Sequence, residues 1–205
     1  MPGAQKPNTL KHRAVLALGS NLGESEDTLE RAVADLVAGG VQLVRASGLY
    51  RTAPVGGPAG QPDFVNAVIE VATDLGAYEL LKLCNAVEAA HHRERLVRWG
   101  PRTLDIDVID YDGVISEDPV LTLPHPRAQE RAFVLVPWAQ MDPQARLTVT
   151  RRAEPSGERA DEVPAPLSRE VVNVAELSRT LVEADEAAGE DAISYMREMQ
   201  VPVQP

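Results

Sequence analysis

Charged residues are concentrated between Arg93 and Asp107, where the chain reads Arg-Glu-Arg-Leu-Val-Arg-Trp-Gly-Pro-Arg-Thr-Leu-Asp-Ile-Asp. At the end of this segment, apolar residues alternate with Asp105 and Asp107. This alternation predicts a β-strand with both aspartates on one face. Two carboxylates so placed suit one or two Mg²⁺ ions, which prefer oxygen ligands and keep positions for water and substrate phosphate. Guanidinium groups bind phosphate oxygens in bidentate fashion. The segment therefore predicts a site for a metal-bound polyphosphate.

The Asp-x-Asp pair is a weak signal by itself, because a solvated strand face beside a basic loop gives the same pattern. The adjoining sequence from Arg98 to Arg102, Arg-Trp-Gly-Pro-Arg, makes the signal more specific. The chain contains no G-x-x-x-x-G-K-[ST] motif, which excludes a P-loop kinase on motif grounds.

Composition limits the kinds of protein that carry such a site. The 205 residues, 44% of them hydrophobic, suit one domain of ordinary size with an extension. A net charge of -11 argues against nucleic acid as the main partner. The single cysteine, Cys84, lies in an apolar helical pattern, which predicts a buried thiol and allows no disulfide within the chain. Neither an apolar leader nor a membrane-spanning run is visible, so we expect a cytoplasmic protein without membrane contact.

The order of predicted elements is strand, helix, strand, strand, helix, strand. This order predicts an α+β fold of the ferredoxin-like (βαββαβ) type, an antiparallel sheet with helices packed on one face. Ser25 is predicted to cap the first helix, and a breaker-rich loop is predicted before the third strand. The predicted strands and helices are Ala14–Leu18, a helix from Ser25 with an apolar face of Leu29, Val33, Leu36 and Val37, Val41–Thr52, Phe64–Thr73, Ala77–His92 and a strand from Leu104.

The C-terminal part of the chain differs from the rest in charge. From Ala153 onward there are 12 acidic and 4 basic residues, a net charge of -8. We therefore divide the chain into a flexible N-terminus (1–12), a catalytic domain (13–150) and an acidic extension (151–205), in which Val171 to Met199 is predicted to form one or two helices. We expect the extension to lie away from the phosphate site and to be dispensable for chemistry.

Five separated motifs, in this order along the chain, resemble those of the 6-hydroxymethyl-7,8-dihydropterin pyrophosphokinase family. The resemblance spans roughly residues 13 to 145. It implies transfer of pyrophosphate from ATP to the pterin's hydroxymethyl group, with release of AMP, as a step of folate biosynthesis. The motifs are Gly19-Ser-Asn-Leu-Gly, Tyr50-Arg-Thr-Ala-Pro, Gln61-Pro-Asp-Phe-Val-Asn, Arg98-Trp-Gly-Pro-Arg-Thr-Leu-Asp-Ile-Asp and Leu121-Thr-Leu-Pro-His-Pro.

The resemblance also implies a role for individual residues. It places two Mg²⁺ ions on Asp105 and Asp107, with Arg93 and Arg102 as further catalytic residues. ATP and its phosphates are expected at Arg95, Arg98, Val108, Thr122, His125 and Arg131. The pterin is expected between Phe64 and Phe133, with its polar edge at Asn66, Thr52 and the backbone of Val55. Trp99 is expected in a lid. The chain departs from the family pattern at Ala53, His92, Val120 and Pro126.

Two other classes of function remain open at this point. One is a metal-dependent transferase that uses a different phosphorylated donor, against which Phe64, Asn66 and Phe133 count. The other is a non-enzymatic ferredoxin-like module whose arginines contact RNA, against which the net charge counts. We expect a monomer whose partners are ATP and the pterin.

Overall fold

The computed structural model describes residues 12–54, 58–91, 101–152, 167–188 and 193–201. The described chain contains ten strands and four helices, and a short 3₁₀ turn precedes α3. The elements are β1 (His12–Ser20), α1 (Ser25–Ala38), β2 (Gln42–Ala46), β3 (Gly48–Thr52), β4 (Phe64–Thr73), α2 (Ala77–Ala90), β5 (Asp105–Tyr111), β6 (Ser116–Glu117), β7 (Thr122–Leu123), α3 (Ala132–Met141), β8 (Arg146–Arg152), β9 (Leu167–Asn173), α4 (Val174–Ala188) and β10 (Ser194–Glu198).

Six strands form the main sheet, in the order β10-β3-β4-β1-β5, with β2 also paired to β4. Every neighbouring pair is antiparallel. β1 is buried along most of its length because both of its faces carry apolar side chains. The fold is thus α+β with an antiparallel sheet, as the sequence predicts.

Side chains of β1 alternate between two hydrophobic cores. Leu16 and Leu18 face the first core, which α1 and α2 close with Leu29, Val33 and Leu80. This face of the sheet carries the two helices that the sequence predicts. Burial of their apolar faces stabilises them there, since each buried leucine or valine contributes about 1.5–3 kcal/mol.

The second core lies on the opposite face and is smaller. Ala17 of β1 and Val68 of β4 pack there against α3, through Leu135 and Trp138, and against Leu147 of β8. The prediction of helices on one face only is therefore incomplete. The second core covers only the half of this face near Ala17 and Val68. The other half of the face carries polar residues that are not part of this core.

Two local predictions differ from the structure. The strand predicted from Val41 to Thr52 is divided at Ser47. The backbone N–H of Ser47 donates to the carbonyl of Val68, and the N–H of Val68 donates to Oγ of Ser47, both at 2.9 Å. Ser25 does not cap α1, because it is the first helical residue and its Oγ instead contacts Oγ of Ser20 at 3.0 Å.

The C-terminal elements return to the main domain. β8 and β9 form a hairpin, α4 packs against α3, and β10 joins the edge of the main sheet. The boundary predicted at residue 150 falls inside β8, and the division into a domain and an extension stays a prediction. In the described part of the predicted Val171–Met199 segment, helix covers Val174–Ala188. Strands β9 and β10 lie at the two ends of the segment, because their backbones pair with β8 and β3.

Candidate active site

A row of residues crosses the sheet on the face that carries the second core. Asn66 of β4 pairs with Gly19 of β1, and Gly19 pairs on its other side with Asp105 of β5. The next row contains Val68, Ala17 and Asp107 in the same order. Paired residues share a face, so an amide and two carboxylates project from one side of three adjacent strands. The same-face prediction for the two aspartates is confirmed.

Gly19 keeps the centre of this row open. A Cβ at this position would lie 3.2 Å from Oδ1 of Asn66 and 3.9 Å from Cδ1 of Phe64. The first distance is closer than ordinary van der Waals contact allows. A glycine therefore lets the side chains of Asn66 and Phe64 lean across β1 towards Asp105.

Among the described residues, an arginine donates to each of the two aspartates. Arg102 donates through Nη1 to Oδ2 of Asp105, three residues along the chain. Arg131, at the N-terminus of α3, donates through Nη1 to Oδ2 of Asp107 at 3.0 Å. The four side chains of these two pairs are about one-fifth to one-third exposed, so their charges are partly desolvated. The pairing keeps the carboxylates in place, and their remaining exposure leaves room for a ligand.

His125 joins the Asp107 pair through the loop after β7. Its backbone N–H donates to the carbonyl of Ile109 at 2.8 Å, which ties the loop to β5. The N–H of Arg127 donates to Nδ1 of the ring at 3.2 Å, so the neutral ring carries its proton on Nε2. Nε2 lies 3.7 Å from Oδ2 of Asp107. Burial lowers the pKa of His125 below its ordinary value; Asp107 raises it and Arg131 lowers it.

A cleft opens beside β5 and is lined by three of the residues predicted to bind the nucleotide; Arg131 is not among its lining residues. Val108, Thr122 and His125 line it together with both aspartates. Its remaining lining comes from α2, from β5, from the turn before β7 and from the loop after β7, in Leu81, Asn85, Glu88, Ile106, Pro119, Val120, Leu121 and Pro126. The structure thus brings together five predicted residues from β5 and the following loops.

Polar and aromatic residues predicted for the pterin lie on β4, β3 and α3. Asn66, which is 5% exposed, donates through Nδ2 to Oγ1 of Thr52 at 2.9 Å. The guanidinium carbon of Arg102 lies 6.0 Å from the centre of the Phe64 ring, and that of Arg131 lies 5.5 Å from the Phe133 ring. Each aromatic ring is therefore adjacent to an arginine that also holds one of the aspartates.

Asn21 is a further residue of the site, and the sequence predicts no role for it beyond its place in the Gly19-Ser-Asn-Leu-Gly motif. Its side chain is 3% exposed and bonds to two separate loops. Nδ2 donates to the carbonyl of Pro62 at 3.0 Å, and Oδ1 accepts the N–H of Arg102 at 2.8 Å. The sequence signal for this anchor is an asparagine in the turn directly after a predicted strand, and both of its partners are distant in the sequence.

Comparison with known families decides what this geometry belongs to. A model of the family described as 7,8-dihydro-6-hydroxymethylpterin-pyrophosphokinase (HPPK) matches residues 15–143. The chain belongs to the HPPK family. It is an ATP-dependent pyrophosphokinase.

Three bacterial relatives of the chain are named 2-amino-4-hydroxy-6-hydroxymethyldihydropteridine pyrophosphokinase. The chain is 46% identical to that of Methylorubrum extorquens over 132 residues, which cover 64% of this chain and 83% of the relative. It is 43% identical to that of Synechocystis over 133 residues, which cover 64% and 67%. It is 45% identical to that of Mycobacterium bovis over 148 residues, which cover 67% and 76%.

Solved HPPK-DHPS structures share the fold. The wild-type Plasmodium falciparum protein with pterin and p-hydroxybenzoate superposes with a TM-score of 0.57 at 14% identity, over 93% of this chain and 49% of the other. An HPPK-DHPS structure in complex with substrates gives a TM-score of 0.60 at 12% identity, over 92% and 48%. This chain therefore spans about half the length of those proteins.

Five predicted HPPK residues lie outside the described residues: Val55, Arg93, Arg95, Arg98 and Trp99. Their roles stay predictions. Within the described ranges, no helix is both long and apolar enough to span a membrane.

Proposed function

We propose that the face built around Gly19 performs the HPPK reaction with the residues named below. In this reaction the hydroxymethyl oxygen of 6-hydroxymethyl-7,8-dihydropterin bonds to the β-phosphorus of ATP. The bond from that phosphorus to the α,β-bridging oxygen breaks, AMP leaves with the electron pair, and the proton of the hydroxymethyl group is released to solvent. The products are AMP and the pterin diphosphate, an intermediate of folate biosynthesis. The row Asn66–Gly19–Asp105 is the observation that carries the assignment, since it sets a pterin-reading amide beside a phosphate-site carboxylate.

Asp105 and Asp107 are assigned to two Mg²⁺ ions. Among the residues that the structure describes, His, Cys, Asp and Glu form no group of three or more that would hold a metal. The pair nevertheless fits Mg²⁺, because this ion takes one or two carboxylates and fills its other positions with water and substrate phosphate. Bound there, the ions would offset the charge of the ATP phosphates.

The arginines that hold the aspartates are assigned to the same phosphates. Arg102 and Arg131 already lie at Asp105 and Asp107, so incoming phosphate oxygens meet guanidinium donors at the carboxylates' edge. His125 is assigned as a third donor, through the Nε2 proton that its contact with Arg127 leaves free to face Asp107. Together with Arg93, Arg95 and Arg98, these groups orient the β-phosphorus.

The two substrates are assigned to adjacent regions. ATP occupies the cleft beside β5, with its base near the backbone of Val108 and with Thr122 as a further contact. The pterin lies between Phe64 and Phe133 with its polar edge on Asn66, Thr52 and Val55. An amide offers both a donor and an acceptor, which suits a pterin's polar edge. The hydrogen bond from Nδ2 of Asn66 to Oγ1 of Thr52 orients this amide.

A lid is proposed for the residues around Trp99, where closure would exclude water as a competing acceptor. We also infer a ferredoxin-like core in β1, α1, β2–β3, β4, α2 and β5, which the sheet order β3-β4-β1-β5 supports. The protein is proposed to be monomeric and cytoplasmic.

A single-turnover assay tests the proposed function. ATP labelled in the γ-phosphate is mixed with enzyme, Mg²⁺ and the reduced pterin, and products are separated over time. We expect AMP and labelled pterin diphosphate in equal amounts. ADP or pyrophosphate as the product in place of AMP would contradict the reaction and favour the other transferase class.

A further inference from the structure

The strand β10 lies beyond the segment that the family model matches, yet it forms an edge of the sheet that carries the site. It pairs with β3 through four residue pairs, and the register shifts in the middle of the strand. β3 itself has only three paired residues on β4, which end at Thr52. β10 therefore supplies about half of the residue pairs that hold β3 in the sheet. Without β10, β3 would be a short edge strand with few backbone partners.

β10 also extends the row of residues on which the site is built. Tyr195 pairs with Tyr50, and Tyr50 pairs with Asn66, which is the neighbour of Gly19. The two tyrosine rings meet edge to face, with centroids 5.5 Å apart at 75°. The Tyr195 ring further covers Gly48, where a Cβ would overlap it. Tyr50 is 6% exposed, so Tyr195 is part of what buries it.

A second contact fixes β10 to the helix on the other face of the sheet. Nε of Arg197 donates to Glu26 and Nη1 to Glu30, both at 2.7 Å. The N–H of Gln200 donates to the same Glu30 carboxylate at 2.8 Å. Arg197 therefore ties the end of β10 to α1, which limits sliding of the strand along β3.

We propose that Tyr195 and Arg197 are positioning residues for the pterin. Tyr195 acts through Tyr50, and Arg197 acts through α1. Together they hold β3 at the distance from β4 at which Thr52 Oγ1 accepts from Asn66 Nδ2. This inference rests on the proposed pterin site. It differs from the expectation that the C-terminal part of the chain is dispensable for chemistry, and the variants below decide between the two.

Point variants of the full chain test the proposal by calorimetry and steady-state kinetics. Tyr195→Ala and Arg197→Ala are expected to raise the pterin Kd and KM about five- to tenfold, because small displacements of positioning groups weaken binding. Affinity for a non-hydrolysable ATP analogue should change less than about twofold, because no ATP residue lies on β3. Tyr195→Phe keeps the ring and should bind the pterin as the wild type does.

Gly48→Ala gives an independent variant, since its Cβ displaces the Tyr195 ring. It should weaken pterin binding, and Tyr195→Ala in the same chain should make the loss smaller than additive, because the overlap with the ring is gone and only the 3.0 Å approach to the carbonyl of Arg197 remains. Val41→Ala is the control for stability, because Val41 lies in the first core beside the far end of β4. It should lower the unfolding temperature and leave the pterin Kd unchanged.

Asn66→Ala separates failure of this proposal from failure of the site assignment. If Asn66→Ala leaves pterin binding unchanged, the pterin site is wrong and the inference fails with it. If Asn66→Ala weakens pterin binding while Tyr195→Ala and Gly48→Ala do not, only the inference is overturned. Equal losses for pterin and ATP analogue, or losses that Val41→Ala reproduces at equal stability, would also overturn it.

Discussion

Asn21 and Arg102 are joined by two reciprocal hydrogen bonds. The N–H of Arg102 donates to Oδ1 of Asn21 at 2.8 Å, and the N–H of Asn21 donates to the carbonyl of Arg102 at 3.1 Å. The same asparagine holds Pro62 on the loop before β4. One buried side chain thus fixes the arginine next to Asp105 and the approach to Phe64.

Asn21→Ala is predicted to lower kcat/KM for both substrates. It leaves the N–H of Arg102 and the carbonyl of Pro62 without their partner, and each unsatisfied buried group costs about 1–3 kcal/mol. Asn21→Asp is the matched variant, because its carboxylate still accepts from Arg102 but has no donor for Pro62. Steady-state kinetics should show that Asn21→Asp has a higher kcat than Asn21→Ala, whereas the pterin KM stays raised in both variants. If aspartate behaves as alanine does, Arg102 is not positioned through this contact.

Asp107→Asn is predicted to reduce turnover on the order of a thousandfold, equal to about 4 kcal/mol of barrier, while the protein stays folded. The asparagine amide carries no negative charge. The variant therefore lacks the carboxylate that Arg131 and His125 face and that is assigned to bind Mg²⁺. Asp105→Asn should act in the same direction. Turnover measured over a range of Mg²⁺ concentrations checks the prediction.

The control for that experiment is Asp112→Asn, which makes the same charge change just beyond the end of β5. Asp112 is paired with His12 at the surface, and its positive φ of 50° is one that asparagine tolerates. It should retain full turnover. Near-normal turnover of Asp107→Asn at saturating Mg²⁺ would contradict the metal assignment.

Cys84 is predicted to be inert to thiol reagents in the native protein. It is fully buried, and burial together with the nearby charge of Glu88 raises the pKa of its thiol to about 12. The thiolate is the reactive form, so almost none exists at pH 8. Labelling with a chromogenic disulfide at pH 8 should be negligible before denaturation and stoichiometric afterwards. A Val114→Cys, Cys84→Ala chain, with an exposed thiol, should react at once.

The sequence predicted those parts of the fold whose pattern is local. Alternation in Phe64–Thr73 and in the strand with Asp105 predicts the correct faces, although both faces of Phe64–Thr73 are buried and only the strand with Asp105 has one face less buried than the other. The division at Ser47 was not visible, since it depends on a bond to Val68. β10 was missed because its Ser-Tyr-Met-Arg-Glu sequence becomes a strand only through pairing with β3.

The site was predictable to a similar degree. The pairing of Arg102 with Asp105 is close in sequence, whereas Arg131 reaches Asp107 from α3, and Asn21 reaches Arg102 across 81 positions. Motif resemblance supplied the candidates, and residue spacing alone could not supply these contacts. Tertiary contacts of this kind carry no periodic signal.

Gly19→Ala is predicted to weaken pterin binding more than ATP binding. The added methyl would lie 3.2 Å from Oδ1 of Asn66, which must move and strain the bond to Thr52. Calorimetry should show a pterin Kd raised about tenfold, or about 1.4 kcal/mol, with the ATP-analogue Kd nearly unchanged. Ala17→Gly, one row along β1, is the control for backbone effects and should cost about 0.5–1 kcal/mol of stability without this selectivity. An unchanged pterin Kd in Gly19→Ala would show that the amide of Asn66 does not meet the pterin in the orientation seen here.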